Sequence, residues 1–343
     1  MSSDNSKNGG SIARLVRTAL VVAGGGAVGI VAPIGLAVHL AVPPGEGVSG
    51  LPDSVRVQDV SLGSSARDAL PVPTKRISAL SIAPQSVRTL TRVFDRYDYD
   101  LARATGEGAS VPPIFVERMP EDWQQIDQAK TRKRLFVKMV LPMILRANAE
   151  IRQDRRRLLA LIERADGDRE TLTDGGRYWL SKLARRYGLT EIQFDALKRR
   201  VDIIPPSLAL AQAANESGWG TSRFAREGNA LFGQWTWDAT QGIKPKEMQK
   251  GKGNYAVRRF DNLADSVSAY MLNLNTHSAY KPMRDRRRAL RNSDKPISGH
   301  ALAGGLVRYS QRGQAYIEEI RGMISYNDFQ RYDRVNLGSA ALG

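Results

Sequence analysis

The sequence predicts a mainly helical domain held behind one N-terminal transmembrane helix. Two stretches carry that expectation. Thr18–Val42 is a run of 25 residues without Asp, Glu, Lys or Arg. From about Asp127 onward, apolar residues recur at helical spacing. A third observation bounds the chemistry: of 343 residues none is Cys, and 51 Lys and Arg against 35 Asp and Glu leave a formal charge of +16. Without Cys there is no disulfide framework, thiol nucleophile or thiolate zinc site. The charge points to an anionic partner: nucleic acid, a lipid surface or an acidic polymer.

Residues 1–17 form a short N-terminus carrying Arg14 and Arg17. As a helix, residues 18–42 would extend roughly 37 Å at about 1.5 Å per residue, enough to cross a hydrocarbon core of about 30 Å. Glu46 and Asp53 follow before the next basic residue, Arg56. The positive-inside rule then leaves the N-terminus in the cytoplasm and exports the rest. The resulting expectation is a single-pass signal-anchor in the cytoplasmic (inner) membrane, with the downstream domain on the periplasmic side. A cleaved signal peptide is the alternative, although no A-x-A-like site closes the run. Gly24, Gly26 and Gly29 spell G-x-G-x-x-G. A dinucleotide site needs that turn between a strand and an amphipathic helix; inside an apolar run, small residues serve helix packing in lipid.

Residues 43–111 are rich in Pro, Gly and Ser and read as a stalk, with a helical piece around Ser86–Arg103. Residues 112–200 form a basic helical lead-in. Its segment "KRLFVKMVLPMILRANAEIRQDRRRLLALIERA" keeps an apolar stripe, with Pro142 expected to kink or break it. Asp174 and Thr190 are candidate N-caps of two shorter helices. The charge is uneven: residues 131–200 carry a net +9 and residues 284–343 a net +5, while 201–283 carry only +2. The positive surface therefore flanks the most informative segment. It is either a solvated helix face or an electrostatic grip on an anionic mesh or lipid headgroups.

That segment is "IPPSLALAQAANESGWGTSRFAREGNALFGQW", Ile204–Trp235. Pro205 and Pro206 open a helix, because a first-turn residue needs no N–H partner. Ala209, Ala211, Ala213 and Ala214 allow close packing, and Gly218 and Gly220 end the helix. Glu216 then falls at the helix C-terminus among Trp219, Phe224 and Phe232. The negative end of the helix dipole and apolar walls both favour a protonated carboxyl, as a general acid for glycosidic cleavage requires. A surface Glu at a helix end is the plain alternative.

"LAQAANESGWGTSRFAREGNALFGQW" resembles the glucosaminidase domain of glycoside hydrolase family 73, in the Bax-type branch related to the flagellar peptidoglycan hydrolase domain. The resemblance continues through "YAVRRFDNLADSVSAYMLNLNTHSAYKPMRDRRR" and "LVRYSQRGQAYIEEIRGMI", covering Asp127–Tyr326. It implies a lysozyme-like α+β fold, mainly helical with a small β-hairpin lobe. It places a catalytic domain at 201–326 and a C-terminal tail at 327–343. The implied activity is hydrolysis of the β-1,4 bond between N-acetylglucosamine and N-acetylmuramic acid in peptidoglycan glycan strands, with Glu216 as catalytic acid. Asn229 of the "N-A-L-F-G" motif and the aromatics Trp219, Phe232, Trp235 and Trp237 would bind sugar. Core packing is the other reading of the aromatics, and the favoured one for Trp219 and Phe232. Tyr309 in "YSQRGQAY" matches the family tyrosine of the late "GYATDP-x-Y" pattern, where a phenol positions the N-acetyl group or stabilises charge on the sugar. The spacing to Tyr316 is one residue longer than in that pattern. Tyr270 is expected to pack on its helix, and His277 and Tyr280 receive no role.

A second carboxylate is not evident. The expected β-lobe, Thr236–Phe260, contains only Asp238 and Glu247 as acids. Glu247, among Lys244, Lys246, Lys250 and Lys252, is the candidate base; substrate-assisted attack by the 2-acetamido oxygen is the alternative. Two other functions stay open: a lytic transglycosylase using one Glu, and an inactive wall-binding protein. Nucleic acid is set aside, because an exported chain has little access to it and no binding motif is present. His39, His277 and His300 form no H-E-x-x-H, so no metal is expected, and acid chemistry of this kind needs no cofactor. Oligomeric state is not legible.

Overall fold

A computed structural model describes residues 80–106, 108–246 and 255–338. The chain divides into Met1–Ile34 and Gly35–Gly343, and every described residue belongs to the second unit. The apolar run 18–42 and Glu247 lie outside the described residues. Among the described residues, no helix is long and apolar enough to cross a membrane.

The body opens with β1 (Leu80–Ile82) and α1 (Val87–Arg96). The Ser86 hydroxyl accepts from the Thr89 amide and starts α1. Leu90 and Phe94, four apart and so on one helix face, are completely buried. β2 (Ser110–Val111) and β3 (Ile114–Val116) follow, and β3 pairs in parallel with β1, Leu80 opposite Ile114. Of the stalk expected over 43–111, residues 80–106 and 108–111 belong to the packed body, and 43–79 lie outside the described residues. Leu90, Phe94, Tyr99 and Val111 are all buried, and apolar surface of that extent gains more in the core than a solvated tether could.

α2 (Ala129–Arg164) continues for 36 residues with Pro142 inside it, where a kink or break was expected; it does not break. An interior Pro costs about 3 kcal/mol. Every residue from Leu135 to Leu145 is buried, however, and that packing carries the helix across. Its C-terminal half supports α3 (Asp174–Arg186) and α4 (Phe194–Arg200) through Leu158, Ile162, Leu180, Leu183 and Leu197. Thr173, not Asp174, caps α3, its hydroxyl accepting from the Gly176 amide. Asp174 instead takes the first helical position, where its charge suits the helix N-terminus. α4 begins after Gln193, three residues beyond the expected Thr190.

α5 (Pro206–Ser217) is the axis of the molecule, packed against α2 and three C-terminal elements described below. Pro206 occupies its first turn and its alanines are buried, as the sequence indicates. α6 (Arg223–Gly228) follows, then a lobe of β4 (Trp235–Thr236), β5 (Gly242–Ile243) and β6 (Ala256–Arg258). The lobe is a three-stranded antiparallel sheet in the order β4-β6-β5, with Trp235 and Ile243 both opposite Val257. It therefore has one strand more than the expected hairpin. α7 (Leu263–Thr276), α8 (Lys281–Asn292), α9 (Gly299–Ala303), α10 (Gln314–Tyr326) and β7 (Asn336–Leu337) complete the order. The mainly helical architecture around a buried axial helix is compatible with a lysozyme-like fold.

Two carboxylates, Asp202 buried and Asp333 half-buried, hold this arrangement. Asp202, just before α5, takes a bidentate grip from Arg291 (2.7 and 2.9 Å), with Arg287 at 3.8 Å and Arg155 at 3.7 Å. Burial pushes its carboxyl up, but the Arg291 hydrogen bonds and the three guanidinium charges outweigh this and hold it below the usual range.

Asp333 caps α5 from 126 residues away, accepting from the Ser207 amide and hydroxyl, both at 2.8 Å. Gly299 must be glycine, because a Cβ there would lie 2.2 Å from Ser207 Oγ. Phe329, Tyr332 and Val335 are buried, and β7 pairs in parallel with β2. The tail expected over 327–343 is thus docked as far as 337, through the buried Phe329, Tyr332 and Val335 and the β2–β7 pairing. A chain that closes the axial helix cannot stay in solvent.

Burial pushes Asp333 up to about 6 against the donors of Ser207 and Gly299. Its folded value exceeds the unfolded one, so the fold favours the neutral acid, and stability from this group falls as pH rises from about 4 to 6. Asp333→Asn keeps the acceptor for the Ser207 amide and abolishes that dependence. In urea melts the variant is expected to gain on wild type between pH 4 and 7, by up to about 3 kcal/mol. A constant difference across that range would refute the assignment.

Candidate active site

The end of α5 is built by its last residues. Gly218 closes the helix in the left-handed region (φ +58°), and the Trp219 amide reaches back to Ala214 O at 2.9 Å. This turn folds the Trp219 ring onto the core, edge-on to Phe136 (5.7 Å between centroids) and near Phe329. Lys133 sits over its face at 4.8 Å. Glu216 thereby arrives at the carboxyl end of a buried helix with only 9% of its surface exposed.

Its neighbours form a hydrogen-bond chain. The Tyr316 hydroxyl, from α10, donates to Glu216 Oε1 at 2.8 Å. Gln212, one turn before Glu216, donates through Nε2 to the Tyr316 oxygen at 2.9 Å. Tyr270 of α7 donates to Gln212 Oε1 at 2.6 Å. Asn215 Nδ2 lies 3.4 Å from Glu216 Oε1. Burial, and next to it the Glu216 charge, push the Tyr316 phenol well above its usual range. Tyr270 and Tyr309 are pushed up by burial first and by their neighbours next. All three remain protonated donors at working pH.

The expected site residues separate into groups. Glu216 and Tyr309 lie together. Tyr309 is fully buried and stacks on Tyr316, with centroids 5.2 Å apart and rings 11° from parallel. Phe232 has no exposed surface for a sugar; it stacks face to face on Tyr270 at 3.8 Å and fixes that ring. Of the two readings of Phe232, cleft and core, it takes the favoured one, core, because a ring without accessible surface cannot meet a ligand. Asn229 holds the left-handed cap of α6 (φ +52°) and donates to Phe260 O and Asp261 O at 3.0 and 3.1 Å. That bracing of the lobe uses its amide donors internally.

Trp235 is buried and stacks on Tyr255 at 4.1 Å, its indole N–H without a partner. Trp237 is the exposed aromatic of the set, at 42%. Asp238 bonds its own turn through Thr240, far from a buried acid in character. Among the described residues, no group of three or more His, Asp or Glu side chains could hold a metal ion.

The expectations missed Tyr316 and Gln212, and gave Tyr270 only a packing role. Gln212 carried a usable signal, since four residues before Glu216 places it on the same helix face. Tyr316 carried none, because its contact crosses 100 residues.

Residues 192–329 match a glucosaminidase family model, described as mannosyl-glycoprotein endo-beta-N-acetylglucosaminidase. The chain is 35% identical over 216 residues to Protein bax of Escherichia coli (strain K12), a match that covers 61% of this chain and 74% of that protein. No solved structure matches it.

Proposed function

This chain belongs to the Bax-type glucosaminidase family, and on that premise we propose that it hydrolyses the β-1,4 bond between N-acetylglucosamine and N-acetylmuramic acid in peptidoglycan. Glu216 is the general acid. The observation that carries this reading is its place: a mostly buried carboxyl at the negative end of a buried helix, aimed by the Tyr316 hydroxyl at 2.8 Å. Glu216 gives its proton to the glycosidic oxygen as the C–O bond breaks, and water supplies the new hydroxyl. Tyr309 acts by buttressing Tyr316. Trp237 offers an exposed ring face for a pyranose.

We assign the apolar run Thr18–Val42 to a membrane anchor that leaves the hydrolase on the periplasmic side, within reach of the glycan mesh. The basic flanks suit an anionic polymer.

The test is digestion of purified peptidoglycan by the full chain, with mass analysis of the products. Free reducing N-acetylglucosamine ends are expected. Anhydro-muramic ends would make it a transglycosylase, and binding without cleavage an inactive wall-binding protein. Glu247→Gln is expected to retain part of the activity, consistent with substrate assistance; complete loss would restore a two-carboxylate mechanism.

A further inference from the structure

We propose that Arg286 and Arg321, brought together over Gly304, form a cradle for a carboxylate on the peptides of peptidoglycan, a second hold on the polymer away from Glu216. The proposal deepens the reading of peptidoglycan as substrate and rests on it for the identity of the polymer. The anion-binding character of the cradle stands on its own geometry.

The short helix α9 packs against both α8 and α10, and Gly304 follows its last residue. A Cβ at Gly304 would lie 2.8 Å from Nη2 of Arg321, on α10, and 3.3 Å from Cζ of Arg286, on α8. Guanidinium groups from two helices therefore stand within a few ångströms of one point. Conformation does not call for glycine here, since Gly304 has ordinary helical angles (φ −61°, ψ −12°). What the glycine provides is room, and two cations sit on its rim.

Like charges so placed repel, and among the described residues no carboxylate pairs with either. The acids nearest in sequence are turned elsewhere: Asp285 to Lys281 at 2.6 Å, Glu318 to Gln314 at 3.4 Å and Glu319 to Arg312 at 2.6 Å. Arg321 is held in place by its Nε, which donates to His300 O at 3.0 Å and leaves the terminal nitrogens to the rim. Arg286 is exposed, and no described group accepts from it. Capping the carboxyl end of α9 accounts for Arg321 but not for Arg286. An oxyanion that takes N–H donors from both sides at about 2.8 Å offsets the repulsion, and the planar guanidinium fork matches a carboxylate.

The place of the cradle points to the polymer. α10 carries Tyr316, which touches Glu216, five residues before Arg321 and so about 7.5 Å away along the helix axis. A polymer engaged at Glu216 has its neighbouring acidic groups within that span, and the peptides on N-acetylmuramic acid end in carboxylates.

The experiment is co-sedimentation of the full chain, in micelles of neutral detergent, with purified peptidoglycan sacculi. It is run in a Glu216→Gln background, so that cleavage does not remove binding sites. Arg286→Gln/Arg321→Gln is expected to weaken binding about tenfold. Arg288→Gln/Arg334→Gln removes the same charge from exposed arginines outside the cradle, Arg288 being about 200° round α8 from Arg286, and should change binding less than about twofold. Gly304→Val keeps every charge but fills the space between the guanidinium groups, and should weaken binding about threefold. With sacculi whose carboxylates have been amidated, the cradle variant and its parent should bind alike.

Equal binding of the cradle variant and its parent to native sacculi would overturn the proposal, and is the result expected if the cradle faces lipid phosphate instead. An equal fall in the control pair would overturn it by showing diffuse attraction. So would a difference that survives amidation, or unchanged binding in Gly304→Val. If Gly304→Val does not fold, Gly304→Ala serves, since its Cβ alone displaces Arg321 Nη2. Cleavage by the wild type is assayed alongside. Cradle-dependent binding without cleavage would sink the hydrolase reading and leave the cradle standing, while cleavage with cradle-independent binding would do the reverse.

Discussion

Glu216→Gln is expected to abolish release of reducing N-acetylglucosamine ends from peptidoglycan, a loss of at least about 100-fold and up to about 10,000-fold, the usual contribution of a positioned general acid. The variant keeps the shape of the side chain, and its amide oxygen can still accept from Tyr316, whose hydroxyl stands 2.8 Å away in the wild type. What it lacks is a proton to give. Because the substitution also removes a potential charge from the negative end of a buried helix, Tm should stay within about 3 °C of wild type or rise. Activity lost together with a large fall in Tm would point to misfolding. Activity retained would end the assignment of Glu216 as the acid.

The second large effect is structural. Asp202→Ala should cost about 3–5 kcal/mol and lower Tm by roughly 10 °C, because it strands a buried charge. Arg287 is 1% exposed, and burial pulls its guanidinium down to about 10 even beside Asp202, so it stays charged at neutral pH. It is still fed by the carbonyls of Arg199, Asp202 and Ile203, at 2.8, 2.9 and 2.8 Å. Those satisfy its donors without neutralising it. Asp202→Ala/Arg287→Met should recover part of the loss, since removing both charges leaves nothing unpaired.

The acid behaviour follows from the same group. Its folded value lies below the unfolded one, so its contribution is complete above about pH 4 and is lost as pH falls through the folded value. Urea melts of wild type and Asp202→Ala should therefore converge at low pH. Curves that stay parallel there would refute the role given to Asp202. This window lies below the one set by Asp333 and has the opposite slope.

Much of α5 is legible in the sequence, because its signals are local. Two prolines, four alanines and a glycine stop fix its start, its tight packing and its end, and Glu216 follows by position. The glucosaminidase resemblance is likewise carried by contiguous residues. What escaped is whatever depends on a partner far along the chain. Pro142 reads as a break because its cost is local, whereas the burial that overrides it comes from other helices. The helical piece expected around Ser86–Arg103 is there as α1, but residues 80–111 read as stalk because they follow directly on a Pro-, Gly- and Ser-rich stretch, and the partners that bury Leu90, Phe94 and Val111 lie far along the chain. Tyr316 was passed over for Tyr309, seven residues earlier. The motif pointed to one, with a spacing one residue too long, and the three-dimensional contact belongs to the other; the two rings stack, so a pattern-based assignment reached the neighbour of the residue that donates.

The capping of α5 by Asp333 also bears on when the protein can become active. Ribosomes deliver the chain from its N-terminus, and the helix bearing Glu216 is made more than a hundred residues before the carboxylate that closes its first turn. Tyr316, which aims the acid, arrives only shortly before that carboxylate. β7, which pairs with β2, emerges last. A nascent chain therefore carries Glu216 without its Tyr316 donor until some hundred residues after the helix have been made, and a product cut short before residue 316 would hold the motif without that contact.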